Sequence, residues 1–273
     1  MKSRNIVNLT KHIIIIFLIL LTFFPFFFMA MTSFKSIYQF YHSFWLPALP
    51  LHFENFGVAW GQLRGYVMNS VLITTSGTIG TVALCSLSAF VFARVDFRFK
   101  GILFYLMISI MMIPPVLVLV PLFMWMKTLK LLNTRIGLIL SYVAMGQPFG
   151  IFVLRSFFEA VPKEIFESAK IDGASFFQLF RSIGVPLSKH ILGALAIINI
   201  LYIWNDYLWP QVVISSNELR PITTGLMVYY GQYNVQYGFL MAGCVIASLP
   251  LIILFLFTMK YFVAGLMSGA LKM

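Results

Sequence analysis

Apolar positions in this chain gather into six long runs, near residues 13–31, 68–92, 102–126, 136–153, 191–214 and 239–262. Polar positions collect between the runs. Neither the alternation of a half-buried strand nor the narrow stripe of a surface helix dominates. A helix needs about 20 apolar residues to cross hydrocarbon. The fourth run is the shortest, and its helix is expected to continue toward Phe158. In lipid every backbone N–H and C=O must be bonded within the protein, so such runs are read as helices. The pattern predicts an all-α, polytopic membrane protein with about six transmembrane helices. Pro25, Pro114, Pro115, Pro121, Pro148, Pro210 and Pro250 fall inside the runs. Each removes a helix hydrogen bond and bends the chain. Such bends shape a bundle or line a transport pathway.

One polar stretch, residues 155–190, is long and amphipathic. Pro162 suits the first turn of a helix, and Glu164 and Glu167 lie early in it, where the dipole favours acids. Ile165, Ala169 and Ile171 are expected to supply its apolar contacts. Gly173 ends it, because glycine accepts the left-handed conformation required there. Ser175 can cap a second helix, which carries Phe176, Leu179, Phe180 and Ile183 at helical spacing. Pro186 is expected to end that helix before the fifth span. Two short helices joined at Gly173 can present one of them to a groove on another protein. An amphipathic hairpin with no partner is the plainer alternative.

Composition agrees with lipid as the solvent. The 273 residues are 60% hydrophobic and only 10% charged, with a mean hydropathy of +0.93. Soluble domains carry roughly 25% charged residues. The formal charge of +11 would suggest nucleic acid in a soluble protein. Here the basic residues sit mainly in short loops, and none interleave with aromatics as a nucleic-acid platform would. With the N-terminus placed inside, thirteen of the 19 Lys and Arg fall on the cytoplasmic side and six outside. That bias favours both termini in the cytoplasm, although Lys127, Lys130 and Arg135 run against it. Lys2, Arg4 and Lys11 precede the first run, which is longer than the 7–15 apolar residues typical of a signal peptide. It is read as a retained helix, with cleavage near Ala30 as the alternative. Cys85 and Cys244 both lie in apolar runs and read as packing residues.

Chemistry inside the spans is sparse. His12, His42, His52 and His190 are scattered without metal-ligand spacing, and no phosphate-binding Gly-rich loop is present. No metal or cofactor is expected, and no catalytic cluster of His, Asp, Glu or Ser supports an enzyme. Asp206 is the only acid inside a predicted span. An ionised acid at mid-membrane costs roughly 2.5–3.5 kcal/mol on insertion scales, so Asp206 is expected to face the interior or lie near the outer surface. Its Trp and Tyr neighbours suit an interfacial belt or stacking on a sugar ring. A contact in a translocation path and an outer-end anchor both remain open for it, with Asn205 beside it. Asn69 and Gln147 are further polar candidates, or helix–helix hydrogen bonds.

The order Glu167-Ser168-Ala169, Gly173, Ile183, Val185-Pro186 resembles the EAA loop of ABC importer permeases. There the loop reads Glu-Ala-Ala, three residues, Gly, nine residues, Ile, one residue, Leu-Pro. The spacing matches throughout, with Ser168 in place of an alanine and Val185 in place of a leucine. Asp172-Gly173-Ala174-Ser175 resembles the carbohydrate branch. Residues 66–70 resemble the Asn-Ser opening of the family's core, residues 113–121 with 132–140 the third-span region of sugar permeases, residues 204–210 their fifth span, and residues 261–272 the tail of the maltose-importer type. The resemblance covers nearly the whole chain.

What the resemblance implies is an ABC importer type I permease fold and a subunit without catalysis of its own. The helix around Glu167 would enter a cleft on an ATP-binding subunit, with Glu167 facing a basic residue there and Gly173 permitting the turn. Glu164, Ser168, Ala169, Asp172, Ala174, Ile183 and Pro186 would complete that surface. Asn69, Gln147, Asn205 and Asp206 are the candidate path residues. The implied partners are ABC ATP-binding subunits, a second homologous permease, an extracellular solute-binding protein and the lipid bilayer. The implied place is a bacterial or archaeal cytoplasmic (inner) membrane. Residues 1–65 would hold the first span and an extracytoplasmic loop, 66–262 the core, and 263–273 a cytoplasmic tail approaching the ATPase pair. A stand-alone secondary transporter or channel is the competing reading. Ion-coupled carriers usually hold more intramembrane charge, and that reading leaves the amphipathic loop unexplained.

Overall fold

The computed structural model of the chain describes residues 2–229 and 235–270. Its regular elements are helices: α1 (Lys2–Thr32), α2 (Ile37–His42), α3 (Glu54–Arg94), α4 (Lys100–Ser109), α5 (Pro115–Thr128), α6 (Arg135–Ala160), α7 (Lys163–Ile171), α8 (Phe176–Gln178), α9 (Val185–Asn205), α10 (Leu208–Val213), α11 (Ile222–Gly225) and α12 (Tyr237–Ala270). Among the described residues five helical stretches are long and apolar enough to cross a membrane. A sixth would be the α4–α5 pair, bent by 108°. The expected tail residues 263–270 continue α12, while their side chains, and residues 271–273, lie outside the described set.

The chain divides into two compact units. One gathers the residues up to Arg64 with Gly225–Pro250. Its α1 leaves large apolar side chains exposed from Ile13 to Phe27, as a helix solvated by lipid would. Ser36 and Gln39 form a reciprocal capping box at the start of α2, which satisfies two N–H groups the helix cannot bond itself. Beside it Lys35 is 1% exposed and donates to the carbonyls of Ser43 at 2.6 Å and Phe44 at 3.0 Å. Burial pulls its ammonium below the ordinary lysine pKa. Asn55 donates to the carbonyls of Ser33 and Lys35, and Phe40 stacks on Tyr237 at 4.1 Å.

The second unit runs from Gly65 to Thr224 and takes in the chain from Leu251 on. Its described residues pack into two core clusters. One packs Cys85, Phe90, Leu154, Phe158, Phe166, Leu179 and Leu195; the other packs Ile73, Tyr142, Ile203, Trp209 and Val213. Close approach of α3 and α6 depends on missing side chains. A Cβ on Gly80 would meet Val143 at 2.7 Å, and one on Gly146 would meet Thr81 at 2.5 Å. Small residues at such crossings let transmembrane backbones pack tightly.

Direction follows from contacts at the two ends of this unit. Arg135, at the start of α6, donates to Asn69 of α3 at 3.0 Å. Arg94, at the end of α3, donates to the carbonyls of Phe158 and Val161 at the end of α6. Helices α3 and α6 therefore run parallel. The chain between them has to return from the Arg94 end to the Asn69 end, and α4–α5 makes that return. The sequence predicts one run over 102–126, but the chain bends between Ile110–Met112, a 3₁₀ turn, and α5. Ile113 and Pro114 are both extended, with ψ of 121° and 130°. Each precedes a proline, whose ring excludes the helical conformation before it.

The fifth run also differs. Helical structure begins at Phe176 and continues to Asn205 as one 30-residue stretch. Pro186 therefore does not end the second short helix; it lies in the first turn of α9. The reason is the π-helical segment Leu179–Gly184 ahead of it. A proline inside an α-helix clashes with the carbonyl four residues back. The wider π turn relieves this, with Val185 N–H bonded to Phe180 O. The helix breaks instead at Asp206, whose ψ of 122° is extended.

Candidate functional site

The stretch between α6 and α9 forms the surface that the sequence singles out. Helix α7 closes with two nested bonds. Gly173 N–H reaches Lys170 O at 3.0 Å, and Ala174 N–H reaches Ala169 O at 2.9 Å. Together they form a Schellman cap, which requires a left-handed residue; Gly173 supplies it with φ of +82°. Two residues on, Ser175 accepts from Gln178 N while the Gln178 side chain returns to Ser175 N. That capping box starts α8 without a gap. The tight turn comes from these two caps.

Helix α7 is anchored by a residue the sequence reading passed over. Phe166 is 4% exposed and lies among Phe90, Leu179 and Phe158. Ile165 and Ile171, expected to make apolar contacts, face outward instead, and Ile171 is 86% exposed. Ala169 and Ala174 are half-buried against the same cluster, as is Ile183 in the π segment. Helical spacing explains the exchange. Phe166 and Ala169 share the inner face, which puts Glu164, Glu167, Ser168 and Ile171 on one outward ridge. All four are exposed. Ser168 Oγ donates to Glu164 O at 2.8 Å. Among the described residues neither Glu164 nor Glu167 has a cation within ion-pair distance. Asp172, exposed, is the C-cap. Two carboxylates followed one turn on by an exposed isoleucine make a ridge suited to a cleft with basic walls.

The four candidate path residues each bond to other partners and make no hydrogen bond to one another among the described contacts. Asn69 is buried, and its amide is fully used: it donates to the carbonyls of Glu218 at 2.7 Å and Arg220 at 3.0 Å, and accepts from Arg135. Asp206 is half-buried at the α9–α10 break. Its Oδ1 accepts from the N–H groups of Leu208 at 3.1 Å and Trp209 at 3.3 Å. Its Oδ2 accepts from Tyr142 at 2.8 Å, and its carbonyl from Thr223 at 2.7 Å. The neighbouring tryptophans are neither belt nor sugar platform. Trp204 and Trp209 are 5% and 2% exposed, and Trp209 donates to Ser141 at 2.7 Å. Asn205 is exposed and donates to Leu201 O of its own helix. Gln147 donates to Val143 O at 2.8 Å and accepts from Cys85 at 3.4 Å.

An open cavity of about 570 Å³ lies in the angle of the α4–α5 bend, walled by α6 and α9. Its walls are mostly apolar, with Ser141, Asn199 and Tyr202 as the polar exceptions. None of these three carried a signal in the sequence: single polar residues within apolar runs look alike until the bend opens a space beside some of them. Among the described residues no group of His, Cys, Asp and Glu is placed to hold a metal.

Comparison with known proteins agrees with this arrangement. A family model described as binding-protein-dependent transport system inner membrane component matches residues 82–268. The diacetylchitobiose uptake system permease of Streptomyces coelicolor is 34% identical over 90% of this chain and 82% of its own length. The melibiose, raffinose and stachyose import permease of Bacillus subtilis is 32% identical over 99% of this chain and 98% of its own. A chain in the crystal structure of a bacterial ABC transporter importing the acidic polysaccharide alginate superposes with a TM-score of 0.85. It is 21% identical, covering 96% of this chain and 98% of that one. The matched residues contain the whole of α7, its Schellman turn and the π segment that leads into α9. Matched by that family model from residue 82 to residue 268, and by relatives 32–34% identical over at least 90% of its length, this chain belongs to the family of inner membrane components of binding-protein-dependent transport systems.

Proposed function

We propose that this chain is the membrane permease subunit of an ATP-driven importer that moves a sugar or oligosaccharide into the cytoplasm by alternating access. The observation that carries the reading is the outward ridge Glu164, Glu167, Ser168 and Ile171 on a helix whose other face is locked into the core through Phe166. Such a helix cannot move without moving the helices it is packed on. The proposed partners are two ATP-binding subunits against this ridge, a second permease, and an extracellular solute-binding protein at the opposite end. ATP closes the nucleotide-binding pair, α7 moves with it, and the spans tilt to open the path outward; hydrolysis resets them. Both termini are assigned to the cytoplasm, in line with the bias of Lys and Arg. Sugar as the cargo class draws on the relatives, which are named for diacetylchitobiose and for melibiose, raffinose and stachyose.

In this reading Asn69 and Asp206 hold the outer loops to the spans, since their polar atoms are engaged by the protein. Asn205 is the better contact for passing solute, with Tyr202, 45% exposed, offering a ring face one helical turn away. The test is a gentle detergent pull-down of the tagged chain from its native membrane, with crosslinking through Ser168→Cys. An ATPase joined to the crosslink and a co-purifying second permease are expected. A protein that stays alone and uncrosslinked would overturn the importer reading in favour of a self-sufficient carrier.

A further inference from the structure

Arg94 and Phe90 lie four residues apart near the end of α3 and so share one face of it. Phe90 is 1% exposed and is the centre of an aromatic cluster. Its ring lies 5.3 Å from Phe158 of α6, 5.7 Å from Phe166 of α7, 5.4 Å from Phe176 of α8 and 5.5 Å from Phe180 of the π segment. It also lines the π segment, since a Cβ on Gly184 would meet Phe90 at 3.1 Å. Arg94 adds the directional contacts. Its Nη2 donates to Phe158 O in the last turn of α6 and, at 2.6 Å, to the carbonyl of Val161, the C-cap residue. Its guanidinium carbon stands 4.3 Å from the centre of the Phe166 ring. Its Nε is buried with no acceptor.

A capping role for α6 would account for the two carbonyl bonds. It does not account for the ring contact or for the buried Nε, which cost desolvation and give α6 nothing. Only a planar guanidinium can donate in its plane to two carbonyls while laying its face on an aromatic ring. Three elements thus meet on one side chain: the end of α3, the end of α6 and the buried anchor of α7.

We infer that Arg94 is the positioning residue that ties the motion of α7 to α3 and α6, so that ATP-driven movement of the loop reaches the far end of the spans. The inference rests on the reading of α7 as the ATPase-coupling helix. Phe166 is its sliding partner and Phe90 the surface beneath. Side-chain chains of this kind carry coupling when they have two arrangements, and the response of the far end to ATP is the measure of a second one here.

The test uses the importer assembled with its ATPase, carrying Ser168→Cys as crosslink site or, separately, Tyr207→Cys as reporter at the far end. Cys85 and Cys244 are replaced by serine. In the parent, ATP with vanadate is expected to change the rate at which a maleimide labels the reporter. Arg94→Gln should cut that response about tenfold while the ATPase crosslink and ATP hydrolysis stay within about twofold of the parent. Arg94→Lys should recover part of it, keeping the charge but not the planar fork. Phe166→Leu should weaken the response alone and add nothing to Arg94→Gln. A full response in Arg94→Gln overturns the inference, and so does loss of crosslink and response together, which would make Arg94 a shaping residue only. If Arg94→Gln fails to assemble, a full response in Phe166→Leu overturns it. Absence of the crosslink in the parent would instead remove the coupling-helix reading itself, and the inference with it.

Discussion

Asp206 divides its two carboxylate oxygens between two elements: Oδ1 accepts from the first two N–H groups of α10, and Oδ2 from the Tyr142 hydroxyl, whose side chain is 2% exposed. Removing the acceptor of those N–H groups costs about 1 kcal/mol, as loss of a helix-terminal acceptor does, and leaving a buried hydroxyl unpaired costs about 1–3 kcal/mol more. Asp206→Ala should therefore lose about 2–4 kcal/mol, while Asp206→Asn, which keeps an oxygen for those N–H groups, should lose about 1 kcal/mol. Thermal unfolding of the detergent-solubilised protein checks the order; equal melting of Asp206→Ala and the parent would contradict it. Sequence alone left Asp206 between path contact and anchor, because the α10 bonds are local but the Tyr142 partner is 64 residues away. Arg94 was legible only as cytoplasmic charge for the same reason, its carbonyl partners being 64 and 67 residues on. Gly173 and Ser175 were readable because caps are made by near neighbours. Phe166 was not, since one phenylalanine among 29 carries no mark of its own.

Five of the apolar runs lie largely in single span-length helical stretches and the sixth in the bent α4–α5 pair, because the length needed to cross lipid is set by the bilayer. Their breaks followed less well. Pro114 and Pro115 were visible as bending residues, yet a 108° turn and the cavity beside it depend on what packs against each arm. Pro186 does not end a helix, because a π turn upstream, invisible to local propensity, lets α9 carry it. The α3–α6 crossing offers a matched test at this scale. A methyl on Gly146 would stand 2.5 Å from Thr81 Cγ2, whereas one on Gly193 of α9 meets nothing within 4 Å. Overpacking of a close crossing costs about 1–3 kcal/mol. Gly146→Ala should melt well below the parent and Gly193→Ala close to it. Equal melting points for the two variants would show that α3 and α6 do not approach as described.

Sidedness is where the parts of the molecule have to agree. Parallel α3 and α6 require α4–α5 to carry the chain back across, despite the sharp bend. Were that pair a re-entrant loop, α3 and α6 would have to run antiparallel, and the contacts Arg135–Asn69 and Arg94–Val161 could not both form. The residue 155–190 loop would then emerge on the face opposite residues 95–99, and no ATPase facing one could reach the other. The Lys and Arg count points the same way, since it favours the cytoplasm for both segments only if α4–α5 crosses. Membrane-impermeant maleimide on intact cells and on inverted vesicles measures this directly. Asp96→Cys and Ser168→Cys are expected to react only in inverted vesicles, and Lys130→Cys and Asn217→Cys only in cells. Ser168→Cys reacting from outside, with Asp96→Cys still inside, would break the parallel pairing of α3 and α6. It would also remove the ridge of α7 from any cytoplasmic partner.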